Sequence, residues 1–436
     1  MPFRPGLLLL AALLGMAPAL AAAEDLLQIY AQARAVDPLL ASADAQRGIQ
    51  RELSVQARAG LLPQWSLNAV DSRTQQEGTR LQQYSSNISQ VLLDLGQLRN
   101  WDAAKTQLSA QDAAVRAAEQ ELCARVAVVY FGVLSAQASL ATTIANEGAF
   151  AQQVQQAQAR FDAGLSAAVD VDQARAYHEL ARGATVQARQ VLADAREALV
   201  QITGQMPGAL KPLADELPAL PPQPQQPEAW IAQALQANPQ LQAQRLNLDA
   251  SEQRIGAARA AHWPTLVAGV DSANLRGYGV APQDYGRTNT QLALRLNIPI
   301  FAGGATESQV RQAAYQRDLS REQLELGRRA LVRETQAQYQ AVQAGVALMQ
   351  STRAAVAASQ QMLASTRAGQ PLGTRTMTDL LLAIQTLANA QNAYEQARHR
   401  YVLAKLLLQQ AAGGLNEAEL AAVNQLLVAA KPAEDS

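Results

Sequence analysis

Hydrophobic positions along this chain follow two different periods, arranged in blocks. From Trp101 to Arg160 apolar residues recur at three- and four-residue steps, as at Val126, Val129, Tyr130 and Val133. That spacing turns one stripe of a helix into a core and leaves the Gln and Arg faces to water. No proline interrupts Gln64 to Met206, and Ala, Gln, Arg, Leu and Glu dominate after Gly96, all residues that tolerate a helix. A helix over Trp101 to Arg160 would be roughly 90 Å long at 1.5 Å per residue, a length that suits an antiparallel coiled coil or a tunnel wall. Glu307 to Ala368 and Thr378 to Ala412 repeat the pattern, again without proline.

The second period is two. In Leu292-Ala293-Leu294-Arg295-Leu296-Asn297-Ile298 apolar residues alternate with small or polar ones, which predicts a strand with one oily and one polar face. Trp65-Ser66-Leu67-Asn68-Ala69 and Leu266-Val267-Ala268-Gly269-Val270 carry the same signal more weakly, and Tyr84 to Leu92 most weakly. The intervening Asp71 to Gln83 and Asn274 to Asn289 are polar or Gly-containing, as hairpin tips are. Four strands are too few to close a barrel, and an open sheet edge does not exist in lipid. Either several chains associate, or the sheet is soluble and covers a helical bundle.

The blocks occur twice. Asp37-Pro38 recurs as Asn238-Pro239 and Leu62-Pro63-Gln64-Trp65 as Trp263-Pro264-Thr265-Leu266, both 201 positions later. Gly164 with Asp170 recurs as Gly373 with Asp379, and Gly204 as Gly413, all 209 positions later. An ordered series with a nearly constant offset indicates tandem duplication. The expected units are residues 24–210 and 228–415, each helix-strand-strand-helix, joined by the proline-rich linker 211–227. Residues 416–436 are expected to form an irregular segment ending in the loose tail Lys431 to Ser436.

Residues 1–23 combine Arg4, the apolar run Leu7 to Leu14 and the small residues Ala19 to Ala23, the plan of a cleaved secretory signal peptide rather than a membrane anchor. No later segment reads as an uninterrupted apolar stretch of spanning length, so any bilayer crossing is expected to use strands. Lone Cys123 excludes an intramolecular disulfide framework and is expected to be a buried small hydrophobe. His178, His262 and His399 are isolated from one another and from Cys123, without metal-ligand spacing. With 36 basic and 37 acidic residues there is no global charge signal for nucleic acid. No phosphate loop or nucleophile-base set points to an enzyme or a cofactor.

The order of motifs resembles the TolC family of outer-membrane efflux proteins over essentially the whole exported chain. The resemblance rests on Asn238-Pro239, Leu62-Pro63-Gln64, Ile298-Pro299-Ile300-Phe301-Ala302-Gly303-Gly304, Arg160-Phe161-Asp162-Ala163-Gly164 and Leu372-Gly373-Thr374-Arg375. It implies an α+β protomer of long antiparallel helical hairpins and four strands. Three protomers would build a twelve-stranded barrel in the outer membrane of a Gram-negative bacterium and an α-helical tunnel through the periplasm. It further implies a passive exit duct, without cofactor, for a tripartite efflux pump or type I secretion system, partnered by a periplasmic adaptor, an inner-membrane transporter and outer-membrane lipid. A periplasmic coiled-coil adaptor or scaffold is the alternative from another class.

By position in the family pattern, Asp170 and Arg375 look like latch partners between neighbouring protomers, with Gln370 beside them, and Asp379 looks like a ring of carboxylates at the pore constriction. The plainer readings are solvated polar residues at helix starts and, for Asp379, helix capping. Two departures stand out. Leu382 replaces a second acid one turn beyond Asp379, and Gly369-Gln370-Pro371 replaces a segment with an aromatic residue. A single acidic ring followed by an apolar one is expected to hold cations less strongly and to gate partly by dewetting.

Overall fold

A computed structural model describes residues 23–74, 79–278 and 286–428. The expected signal peptide up to residue 22 and the Lys431–Ser436 tail lie outside the described residues. The first copy runs α1 (Leu26–Val36), α2 (Pro38–Ala59), β1 (Gln64–Thr74), β2 (Thr79–Leu93), α3 (Leu95–Asp162) and α4 (Ala168–Thr203). The second runs α5 (Pro227–Ala237), α6 (Pro239–Ala260), β3 (Thr265–Tyr278), β4 (Thr288–Asn297), α7 (Ala305–Gly369) and α8 (Met377–Ala411), followed by α9 (Glu417–Asn424).

The duplication is written in the chain's stops and starts. Asp37 and Asn238 each cap a helix by accepting a backbone N–H, from Leu40 and Leu241 respectively, and each is followed by proline in the first turn. A side-chain acceptor plus a residue with a fixed φ and no N–H is a strong helix start. At the other ends, Gly164, Gly204, Gly373 and Gly413 all adopt left-handed backbone, with φ of 71°, 71°, 70° and 76°. At Gly413 a Cβ would also come within 2.6 Å of the Ala237 backbone, so both conformation and space require glycine there.

Three expectations are corrected. The strands run well into the segments read as hairpin tips, β1 to Thr74, β2 from Thr79 and β3 to Tyr278. Polar residues at those positions keep the period of two but lack the oily face that makes it legible. For the same reason β2, the weakest signal, is the longest strand at 15 residues. The C-terminal segment read as irregular holds α9, capped by Asn416 and with Leu420 and Val423 buried. Finally, α3 does contain an 18-residue stretch apolar enough to cross a bilayer by composition.

One third of that stretch is buried within the chain. Leu122, Val126, Tyr130, Phe131, Val133 and Leu134 of α3 are buried in one cluster with Leu26 and Ile29 of α1, Leu199 of α4 and Tyr401, Val402 and Leu406 of α8. Here, at the waist, α3 packs on α1, α4 and α8, while Val128 on its other side stays exposed. Cys123 is buried in this cluster, and burial pushes its thiol pKa up. A second, smaller cluster of Phe150, Val171, Leu380, Leu381 and Ile384 holds the far ends of the helices.

The proline-rich connection is a strap across this waist. Its carbonyls accept from side chains on three long helices: Lys211 from the Tyr130 hydroxyl at 2.8 Å, Gln225 from the Tyr339 hydroxyl at 2.6 Å, and Leu220 from the Tyr401 hydroxyl at 2.9 Å. Prolines cannot donate to a helix or ladder, so the side chains supply the partners. Arg398, 4% exposed, adds bonds to the carbonyls of Leu213 and Ala214 and an ion pair to Glu395.

The waist also holds a partly buried ion pair, with Asp37 buried and the Arg125 side chain 26% exposed. The Arg125 guanidinium donates two 2.9 Å bonds to the carboxylate of Asp37, 3% exposed, which caps α2 at the same time. Burial alone would raise the Asp37 pKa. The Arg125 bonds and the Leu40 N–H outweigh it and hold the carboxyl below the usual range. Asp37→Ala should therefore cost about 1–3 kcal/mol in denaturant unfolding followed by circular dichroism, because the α2 cap and the bonds to the partly exposed Arg125 are both lost. Asp37→Asn, which copies the cap used by Asn238, should cost clearly less. A carboxylate with a depressed folded pKa contributes its stability above the unfolded value and loses it as pH falls through the folded one. The difference between wild type and Asp37→Asn should thus shrink below about pH 4.

Candidate functional site

The four strands form one antiparallel sheet in the order β1-β2-β3-β4, leaving β1 and β4 as open edges. Its register sorts side chains into unlike faces. Trp65 lies opposite Ile88, Ile88 opposite Val270 and Val270 opposite Leu292, so an apolar row crosses all four strands. Two residues share a face when they are paired or two apart, and this face also carries Leu67, Tyr84, Leu294 and Leu296. The next row, Ser66-Asn87-Asp271-Gln291, points the other way and is wholly polar. On it Arg295 pairs with Asp271 at 2.6 Å, and Asn87 donates to the same carboxylate.

The oily face is not covered. Leu292 is 85% exposed and Trp65 76%, and the strands pack chiefly on one another. The alternative of a soluble sheet laid over a helical bundle is thereby overturned. At the strand-helix junction Ile300 and Phe301 are also exposed. A continuous apolar face of this size on a single chain marks a surface that meets lipid or another protein.

At the opposite end of the helices sit the residues singled out in the sequence. Gly164 and Gly373 turn α3 into α4 and α7 into α8. The two equivalent aspartates differ in what precedes them. Thr376 and Asp379 form a capping box: the Thr376 hydroxyl accepts from the Asp379 N–H at 3.1 Å and the Asp379 carboxylate accepts from the Thr376 N–H at 2.9 Å. Those bonds, with a smaller contribution from nearby Arg375, hold the Asp379 carboxyl below its ordinary pKa. In copy one the cap position is Ala167, which has no side-chain acceptor. The Asp170 carboxylate has no hydrogen bond or ion pair among the described residues, and it does not meet Arg375 within one chain.

Arg375 is exposed, and its stem lies over Gly369, where a Cβ would come within 2.9 Å of its Cγ. Gln370 turns back on its own copy, its amide 3.9 Å from the Met377 sulfur, rather than towards Asp170. Leu382 is 56% exposed, whereas Leu380 and Leu381 are buried. One contact is not apparent in the sequence: Thr378 donates to Gln173 at 2.8 Å, tying the first turn of α8 to the second turn of α4. The capping box was legible as Thr376-x-x-Asp379, but the link to Gln173 needs the packing of two distant segments.

The profile of the outer membrane efflux proteins matches residues 29–205 and 230–414, one copy each. The chain belongs to that family. Outer membrane protein TolC of Vibrio cholerae is 32% identical over 433 residues, covering 97% of this chain and 98% of the relative. The alkaline protease secretion protein AprF of Pseudomonas aeruginosa is 26% identical, covering 91% and 85%. Among solved structures, the outer membrane protein VceC of Vibrio cholerae shares the fold, with a TM-score of 0.79, 20% identity and coverage of 89% and 96%. The chain is an outer-membrane efflux and export protein.

The capping box gives a direct test at the tip. Asp379→Ala should speed amide hydrogen exchange over the first turn of α8, whereas Asp379→Asn, which keeps an acceptor for the Thr376 N–H, should leave it near wild type.

Proposed function

We propose that three copies of this chain close a twelve-stranded barrel in the outer membrane and a helical tunnel in the periplasm. The assembly acts as the passive exit duct of a tripartite efflux pump or type I secretion system. A periplasmic adaptor and an inner-membrane transporter deliver the cargo, and no cofactor or catalytic step is involved. The observation that carries this reading is the sheet, with two open edges and an unbroken apolar row. In hydrocarbon each unpaired N–H and C=O costs several kcal/mol, so β4 of one copy must pair with β1 of the next.

The duplication supports the same assembly in the helices. Inside one chain, α3 of copy one packs on α6 of copy two, with Gln107 bonded to Asn247 at 2.6 Å and to Arg254 at 3.1 Å. With Leu93-Asp94-Leu95-Gly96 aligned to Phe301-Ala302-Gly303-Gly304, Gln107 corresponds to Tyr315 on α7, and Asn247 to Arg254 corresponds to Gln46 to Leu53 on α2. Tyr315, Leu319 and Leu326 are exposed on α7, as are Ile49 and Leu53 on α2. The junction used within the chain thus has an unpartnered counterpart at each free side, suited to the next copy. A periplasmic adaptor has no use for this arrangement of strands between long helices.

At the tip, the latch joins Asp170 of one protomer to Arg375 of the next, and Asp379 supplies a ring of three carboxylates with Leu382 one turn further on. The free carboxylate of Asp170 and the exposed guanidinium of Arg375 suit a directional pair that holds and releases. Asp170→Ala or Arg375→Ser should raise single-channel conductance in a planar bilayer, and unchanged conductance in both would remove the latch. Asp379→Asn keeps the capping acceptor and removes the charge, so it should reduce cation selectivity. An unaltered reversal potential under a salt gradient would count against the ring.

A further inference from the structure

We propose that the hairpin end of the sheet binds the phosphorylated headgroup of an outer-leaflet glycolipid through Arg73 and Arg276, which flank the Asp71-bound Arg80, an inference that rests on the reading of the apolar face as lipid-facing. The register puts all three arginines on that face. Arg73 lies directly opposite Arg80, and Arg276 lies opposite Gln82, two residues from Arg80 along β2. The distance from the apolar Trp65-Ile88-Val270-Leu292 row up to the Gln82-Arg276 pair is six residues, roughly 20 Å along the strands. Tyr84 lies between them on the same face.

Position and charge both call for an anion. An arginine on the lipid face costs about 2–4 kcal/mol at the bilayer midplane and about 0–1 near the interface, so these side chains belong at headgroup level. Like charges directly opposite across a strand pair are destabilising. Asp71 answers part of this, accepting from Arg80 Nε at 3.1 Å and Nη2 at 2.7 Å. Arg276 uses its Nε on Asn274 Oδ1 at 3.0 Å, and its side chain and that of Arg73 are exposed. Adjacent strands are about 4.8 Å apart, so the cluster spans about 10 Å from β1 to β3. That width suits a headgroup carrying two phosphates, one on the Arg73 guanidinium and one on the terminal nitrogens of Arg276.

The test uses the intact protein purified in detergent. Native mass spectrometry would follow retention of added lipid A, a bisphosphorylated glycolipid, and separately of phosphatidylglycerol, for wild type and for Arg73→Gln/Arg276→Gln. Wild type should retain lipid A in preference to phosphatidylglycerol, and the double variant should retain at least about tenfold less lipid A. The variant's conductance in a planar bilayer should be unchanged, which separates loss of the site from loss of the barrel. Equal lipid A retention by both proteins overturns the proposal, and so does wild-type retention of phosphatidylglycerol equal to that of lipid A. A wild type that stays in solution without detergent overturns the lipid-facing reading itself.

Discussion

Every backbone N–H and C=O that enters hydrocarbon must be hydrogen-bonded, because no water is there to replace a missing partner. A four-stranded sheet satisfies its two inner strands and leaves a ladder of donors and acceptors along β1 and β4. In the proposed assembly identical copies repair that deficit. Strands that close a barrel around a polar row such as Ser66-Asn87-Asp271-Gln291 enclose water. In that assembly the helices that continue from those strands wall a tunnel of matching circumference. Duplication within the chain repeats the unit, and the contact between copies one and two is the proposed pattern for the contact between protomers.

The waist and the tip meet different demands on the same repeated helices. At the waist the two copies diverge in sequence and are bound by the strap, whose carbonyls take up tyrosine and arginine donors from α3, α7 and α8. Asp37 there carries a charge paired with Arg125, while its counterpart Asn238 caps without one and donates to the Ala411 carbonyl at 3.2 Å. At the tip the divergence falls on the residue three positions before the shared aspartate. Thr376 draws Asp379 into a capping box, and Ala167 leaves Asp170 uncommitted. A single substitution at the cap position thereby separates two equivalent carboxylates into different environments.

Much of this was legible in the sequence, for identifiable reasons. Helices tens of residues long show in the apolar period and in the want of proline, and the caps Asp37-Pro38 and Asn238-Pro239 are strictly local. The four strands were clearest where one face is oily, as at Leu292 to Leu296, and faintest where β2 carries Ser85, Ser86, Asn87 and Ser89. In such stretches pairing with a neighbour, not side-chain pattern, sets the strand. The helix α9 was missed because its eight residues give little room for a period to show. The candidate tip residues came from position within a family pattern. Their surroundings, such as Thr378 on Gln173 and the Arg375 stem over Gly369, depend on contacts between segments far apart in the chain.

The central claim is that the free side of α7 in one copy packs on α2 of the next. Cysteines at Ile49 and Tyr315 in one chain test it most directly, since these sites flank opposite sides of the protomer and Cys123 is buried. The account predicts that mild oxidation of outer membranes carrying this variant gives covalent dimers and trimers on a non-reducing gel, and that neither single cysteine does so. Monomers alone, with the double variant fully present in the membrane, would contradict it.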